Sequence, residues 1–327
     1  MPHGSHTRSK IAALAFAVGA ACAALVGGCA SFEHLTRAGA EFPRAEACTH
    51  CHGDIGREWA ASPHARAYVD PLFRRATDDY RFRACLGCHA PQPTLTDAEP
   101  APREAHPQDG VTCVSCHLEE GRLSGPNDPT GLVAPHPIRV AGARYRESRF
   151  CGRCHEGTFA EWSAAEMSEK PACQQCHMPA VTRKATQATG GLSEVFVSFE
   201  HAAPQKRHAF DPAPTGLKMP PVAIRVTRSA GGATVHVTNN LPHTLPTGDF
   251  GSRVVVLEAS ALDAGGRGSP PVRRELIKAL HTAVAPLATA EWTVAIPADA
   301  RAVRVRLVRV GREGGDAELA VAEVPLP

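Results

Sequence analysis

Cys48-Thr-His-Cys51-His52, Cys85-Leu-Gly-Cys88-His89, Cys113-Val-Ser-Cys116-His117, Cys151-Gly-Arg-Cys154-His155 and Cys173-Gln-Gln-Cys176-His177 repeat one pattern, Cys-x-x-Cys-His, five times. Two thiols one short turn apart, followed at once by an imidazole, suit covalent attachment of haem. Each thiol forms a thioether with one vinyl group, and the imidazole reaches the iron. The chain has 12 cysteines, and the motifs use all but Cys22 and Cys29. Structural zinc is the rival reading. It fits badly, because five pairs leave a remainder when grouped into four-cysteine sites, and each pair carries its histidine at the same next position. The cofactor expected is therefore five covalently attached haems c.

Residues 1–28 read as an export signal. Arg8 and Lys10 precede an uncharged run, Ile11 to Val26, and small residues follow. The run is short and alanine-rich for a membrane span. Its end, Val26-Gly27-Gly28-Cys29, resembles the lipobox of bacterial lipoproteins, in which the cysteine becomes the lipidated first residue. The expectation is an exported chain, acylated on Cys29 and held at a membrane surface on the periplasmic or outer-membrane side of a Gram-negative-type bacterium.

The formal charge of +2 belongs to the whole chain; without Arg8 and Lys10, 33 basic residues face 33 acidic ones. Haem propionates would add up to about ten negative charges. Scattered Lys and Arg and only 5% aromatic residues offer no basic stripe or stacking platform, which argues against a nucleic-acid partner.

Composition divides the mature chain. Residues 29–211 are rich in Cys, His, Pro and Gly and poor in apolar periodicity, so the segment is expected to be a haem-dominated, mostly α or irregular cytochrome domain whose macrocycles replace a side-chain core. A helix is expected near Ile55–Ala61. Residues 212–221 read as a Pro-rich linker. Residues 222–327 alternate: Ile224–Val226, Val235–Val237, Val254–Leu257, Trp292–Ile296 and Val303–Leu307 read as strands, with Gly231-Gly232, Asn239-Asn240 and Gly265-Gly266 as turns. The expectation is a small all-β sandwich of immunoglobulin-like kind. Arg304 and Arg306 would form a solvated face.

Of 17 histidines, five are proximal ligands: His52, His89, His117, His155 and His177. His3 and His6 fall in the leader. The surplus is the mark of bis-histidine iron, closed by a second imidazole from elsewhere in the chain. His136, in Ala134-Pro-His-Pro137, and His208, in Lys206-Arg-His-Ala-Phe210, are candidates for that role, as are His106 and His201; His34 and His281 rank below them. His50 and His236 read as surface residues, and Met178, beside His177, as packing.

Glu58-Trp59-Ala-Ala-Ser62-Pro63-His64-Ala65 resembles the W-x-x-S-x-H-A element of multihaem cytochromes related to the tetrahaem electron acceptor of hydroxylamine oxidoreductase. Gly110 to His117, Cys173 to Pro179, and Asn239-Asn-Leu-Pro-His243-Thr-Leu-Pro246-Thr247-Gly248 are similar to the same group. The resemblance spans most of residues 46–260; the fifth motif and the β region depart from it. It implies that His64 and His243 are distal ligands.

With every iron closed by two imidazoles the expected function is electron transfer in an extracytoplasmic respiratory chain, with other redox proteins as donor and acceptor, and a homo-oligomer is allowed. The alternative is a reductase or oxidase of small nitrogen or sulfur compounds with one open iron. No motif replaces its histidine by lysine, and Tyr68, Tyr80 and Tyr145 are the only tyrosines available near a haem. A filament-forming structural cytochrome is the third class.

Overall fold

The computed structural model describes residues 42–96, 98–131, 136, 138–187, 192–211, 219–248, 253–311 and 316–326. The export signal, Cys29, His34 and linker residues 212–218 lie outside them.

Short helices dominate up to residue 177, and the haem motifs sit on them. In order they are α1 (Ala45–Thr49), α2 (Gly53–Ala60), α3 (Pro71–Ala76), α4 (Leu86–His89), α5 (Cys113–His117), α6 (Gly142–Arg146), α7 (Ser148–Gly152), α8 (Glu156–Ala164) and α9 (Cys173–His177). One helical turn puts residues three and four apart on the same side, so two thiols and an imidazole converge. The helix expected near Ile55–Ala61 is α2, which begins directly after His52. Helix α3 shows the local chemistry well: Pro71 opens it, and the Asp70 carboxylate accepts from the Leu72 and Phe73 amides at 2.7 and 3.1 Å. Small strands interleave: β1 (Leu118–Glu119), β2 (Arg122–Gly125) and β3 (Arg139–Val140) form one sheet, and β4 (Ala180–Arg183) pairs with β5 (Ala203–Lys206). Helix α10 spans Leu192–Ser198.

The rest is β structure: β6 (Val222–Ser229), β7 (Gly232–Asn239), β8 (Val255–Leu262), β9 (Val272–Leu276), β10 (Thr289–Ala295), β11 (Ala302–Arg309) and β12 (Ala317–Pro325). They form two antiparallel sheets, β10-β7-β6 and β12-β11-β8-β9. Alternate residues of both sheets enter one core, with Val235, Val237, Trp292 and Val294 from the first and Leu257, Val303, Val305 and Leu307 from the second. Ala230 and Gly231 make the tight turn from β6 to β7, Gly231 at φ +78°. Of the strands from Val222 onward, two escaped the sequence reading. Strand β9 is an edge strand of mostly exposed, charged residues, and β12 gains its place by pairing along β11 rather than by its own alternation.

The arginine face is solvated, as expected, but ordered across strands. Arg306 meets Glu318 and Glu258 at 3.0 Å each, Glu258 also holds Arg273, and Arg304 meets Glu323. His236 corrects the sequence reading. It is buried in β7, with Nδ1 at 2.8 Å from Glu291 Oε1 and Nε2 at 3.0 Å from Thr227 Oγ1. Neighbouring strands supply both partners, which the alternation of β7 alone does not reveal.

The chain divides into two compact units. One runs to Tyr145 and includes Val181–His208; the other joins Arg146–Ala180 to everything from Ala209 onward. The division differs from the boundary expected at residue 211. Three motifs belong to the first unit, and the last two group with the β sheets. Buried apolar side chains are distributed just as unevenly. Among the described residues the first unit buries only Ala45, Phe73, Leu86, Ala90, Leu95, Val114 and Leu118, whereas the β core is continuous.

Candidate haem centres

Four of the five motifs present the imidazole in a defined state. The Nδ1 of His52 lies 2.8 Å from the Ala185 carbonyl, that of His89 2.7 Å from Ala67, that of His117 2.9 Å from Ser124, and that of His177 2.7 Å from Asp211. A carbonyl only accepts, so Nδ1 donates its hydrogen and Nε2 keeps the lone pair that binds a metal. Burial pushes the His117 pKa below its usual value, with the Ser124 carbonyl opposing and His52 adding to the fall. The ring is held neutral, the form that ligates.

Three of these rings face a second imidazole. His52 and His136 have centroids 6.2 Å apart, His117 and His208 6.2 Å, and His177 and His243 6.4 Å. A metal–imidazole bond of about 2 Å, plus roughly 1.15 Å from nitrogen to ring centre, places two opposed imidazoles on one metal about 6.3 Å apart. The distal rings are also oriented, His208 Nδ1 by the Lys206 carbonyl at 2.9 Å and His243 Nδ1 by that of Thr244 at 3.1 Å. Burial lowers the pKa of both, to about 4 for His208. Among the described residues no three or more His, Cys, Asp or Glu side chains are gathered into a metal cage. A pair of imidazoles would suit an iron whose other four donors come from a porphyrin, and the chain's donors fit that group.

None of the ten motif cysteines is in a disulfide. Cys48 and Cys113 share a hydrogen bond that raises Cys48 and lowers Cys113, while burial pushes both up. A hydrogen bond with Cys151 brings Cys173 down to about 6 against the opposing effect of burial. The first motif therefore lies against the third, and the fourth against the fifth. Burial pushes the Cys116 thiol up to about 12.

Of the remaining candidates, His64 lies in the turn after α2, where its carbonyl accepts from the Val111 amide at 3.0 Å. His155 caps α8. His106 and His201 are not brought to a proximal imidazole among the described residues, and both are exposed. The His106 backbone is left-handed at φ +48° and its carbonyl is taken by Arg103; the His201 carbonyl is taken by Thr130. His50 and His281 are exposed.

Several supporting residues were not anticipated. Arg103 is buried and donates to the carbonyls of Ala105, Pro91, His106 and Gly110 and to Ser115 Oγ, fastening the loop around the third motif. Tyr145 stacks on His117 at 5.2 Å, its hydroxyl tied to the Cys116 and Ser124 carbonyls. At the second motif Phe73 stacks on His89 at 3.6 Å, and Tyr68 stacks on Tyr80 at 4.3 Å. Glu58 and Glu161, each a few residues past a motif, accept several hydrogen bonds from distant loops. In both, burial opposes ionisation but is outweighed, by Arg183 and the His208 amide for Glu58 and by Lys278, Thr244 and Thr247 for Glu161, so the carboxyls stay below the usual range.

Gly110 is a further constraint. At φ +61° any Cβ would run into the His64 carbonyl. Gly110→Ala is expected to cost about 1–3 kcal/mol in backbone strain alone, seen as a lowered melting temperature and reduced occupancy of the third motif.

Comparison with known proteins agrees with this chemistry. The family described as cytochrome c554 and c-prime matches residues 47–118, and that of cytochrome c7 and related cytochrome c matches residues 100–178. A penta-heme cytochrome c552 from Thermochromatium tepidum has a similar fold, with a TM-score of 0.56 at 19% identity over 89% of this chain and 99% of that one. ApaA from Bordetella pertussis aligns over 32% of this chain and 90% of its own at 20% identity, with a TM-score of 0.19. No curated protein matches. The five motifs, the family matches and the fold support a multihaem c-type cytochrome with haem c as its cofactor. The structural likeness to a five-haem protein is one of fold.

Proposed function

We propose that the chain is a pentahaem c-type cytochrome that carries electrons between redox proteins outside the cytoplasm. The observation that carries this reading is the set of three imidazole pairs at iron-spanning distance, each proximal ring locked with Nε2 available. Bound haem supplies a one-electron centre at each motif. His136 would hold a haem iron together with His52, His208 with His117, and His243 with His177. His64 would serve a further iron. An imidazole on each face would leave a substrate no position on those three irons, and the residues would hold the ligand geometry constant during one-electron transfer. The thiol contacts support two close haem neighbours, first with third and fourth with fifth.

Export through residues 1–28, acylation of Cys29 and attachment to the periplasmic or outer-membrane surface belong to the same proposal, supported by the leader pattern. Among the described residues no helix is long and apolar enough to cross a membrane. The deciding experiment is the haem-to-protein ratio of the full, exported chain by alkaline pyridine spectroscopy, with ferric EPR alongside. Five haems per chain, with at least three low-spin irons, is expected; fewer than five covalent haems would refute the reading.

A further inference from the structure

The segment after the first motif and the segment after the fourth align without a gap. His52-Gly-Asp-Ile-Gly-Arg-Glu58-Trp59 corresponds to His155-Glu-Gly-Thr-Phe-Ala-Glu161-Trp162. In both, the proximal histidine is the N-cap of the helix that follows, with nearly the same backbone: φ −94°, ψ 51° at His52 and φ −105°, ψ 52° at His155.

The tertiary contacts repeat as well. Each tryptophan donates its indole N–H, at 2.8 Å, to a carbonyl two residues before another motif: Trp59 to Val111, ahead of Cys113, and Trp162 to Pro171, ahead of Cys173. Each glutamate accepts from the loop that presents that other motif's facing imidazole. Glu58 Oε2 takes the His208 amide at 2.8 Å, with Arg183 bidentate at 2.7 and 2.9 Å. Glu161 Oε2 takes the Thr244 amide, next to His243, at 2.9 Å and the Thr247 hydroxyl at 2.7 Å, with Lys278 at 2.5 Å on Oε1. Both carboxylates are mostly buried, 18% and 16% exposed. A buried carboxylate is tolerated only when paired and hydrogen-bonded. Here its donors include a basic side chain and the backbone of a ligand-bearing loop, so each glutamate spans two elements that each serve a different iron.

We propose that the chain contains two copies of one two-haem module, motifs one and three in the first unit and motifs four and five in the second. In each copy the glutamate six residues after the first proximal histidine is a positioning residue for the distal ligand of the partner haem. Glu58 sets His208 opposite His117, and Glu161 sets His243 opposite His177. The effect of losing a glutamate therefore falls on the haem across the module and not on the haem whose helix carries it. The proposal rests on the haem reading above.

The test uses the full-length holoprotein. Glu161→Ala is expected to keep five haems while altering one of them: a new high-spin ferric EPR signal, or a displaced low-spin one, of about one iron in five, with one midpoint potential shifted. Glu161→Gln retains an oxygen acceptor for the Thr244 amide and is expected to restore the wild-type spectrum. Combining Glu161→Ala with His243→Ala is expected to add nothing to the spectrum of His243→Ala alone, which identifies the affected iron. If Glu161→Ala does not accumulate, Thr247→Val removes one donor to the same carboxylate and is expected to displace the same signal by less. Glu58→Ala and Glu58→Gln are expected to repeat the pattern at the iron of His117. Five haems with unchanged EPR and potentials in Glu161→Ala, or in Thr247→Val where that variant is needed, or an effect additive to His243→Ala, would overturn the proposal. A wild-type chain lacking five haems would instead overturn the functional reading.

Discussion

A chain in which Cys113 and Cys116 are both alanine will lose the fold of its first compact unit while the β sheets survive. Without that macrocycle the unit keeps the haems of the first and second motifs but only a few buried apolar side chains, among them Val114 and Leu118 beside the empty motif and Phe73 and Leu86 near the second. At about 25 cal/mol per Å², a haem burying on the order of 400 Å² contributes about 10 kcal/mol. That is comparable to the entire stability of an ordinary domain, about 5–15 kcal/mol. Cys48 lies against Cys113, so the first motif loses its neighbour too. The β core from Val222 to Leu326 needs no cofactor to close. Limited proteolysis should degrade residues up to Tyr145 and leave a resistant fragment containing β6 to β12. Equal resistance of both regions would show that the first unit does not depend on the third macrocycle.

His208→Ala is expected to open one iron. The His117 ring stays anchored on the Ser124 carbonyl and against Tyr145, so the proximal side persists while the distal side loses its nitrogen. Water or an added small ligand takes the position. High-spin ferric signal should appear at about one iron in five, and a midpoint potential should move by on the order of 100 mV, a modest part of the roughly 0.8 V that axial ligation spans. An all-low-spin spectrum, identical to wild type, would show that His208 does not ligate. The same change at His106 or His201, both exposed, is expected to leave the spectrum alone.

Much of the site was legible because its chemistry is local. Cys-x-x-Cys-His is contained in one helical turn, so the ten thiols and five proximal imidazoles needed no knowledge of the fold. The β strands around Val235, Trp292 and Val303 were legible for the same reason, each carrying its own period of two. Strand β9 was not, because an exposed edge carries charge instead of alternation. His236 was misread because its burial depends on Glu291 and Thr227 in adjoining strands. The Glu-Trp pairs at 58–59 and 161–162 were readable as a repeat once the first and fourth motifs were aligned. Their meaning was not, since Arg183, Lys278 and the His208 and Thr244 amides are remote in the chain.

From sequence alone came the covalent chemistry of the motifs, the poverty of the first part in core-forming side chains, and the β character of the last hundred residues, all set by neighbours within a few bonds or one turn. Tertiary structure alone decided which imidazole faces which, which motifs lie side by side, and that the last two group with the sheets. Those are closures between segments far apart in the chain, and a loop can bring its ends together at nearly the same entropic cost for many partners. The choice among them comes from the buried carboxylates, carbonyls and stacked rings that meet only when the chain is folded.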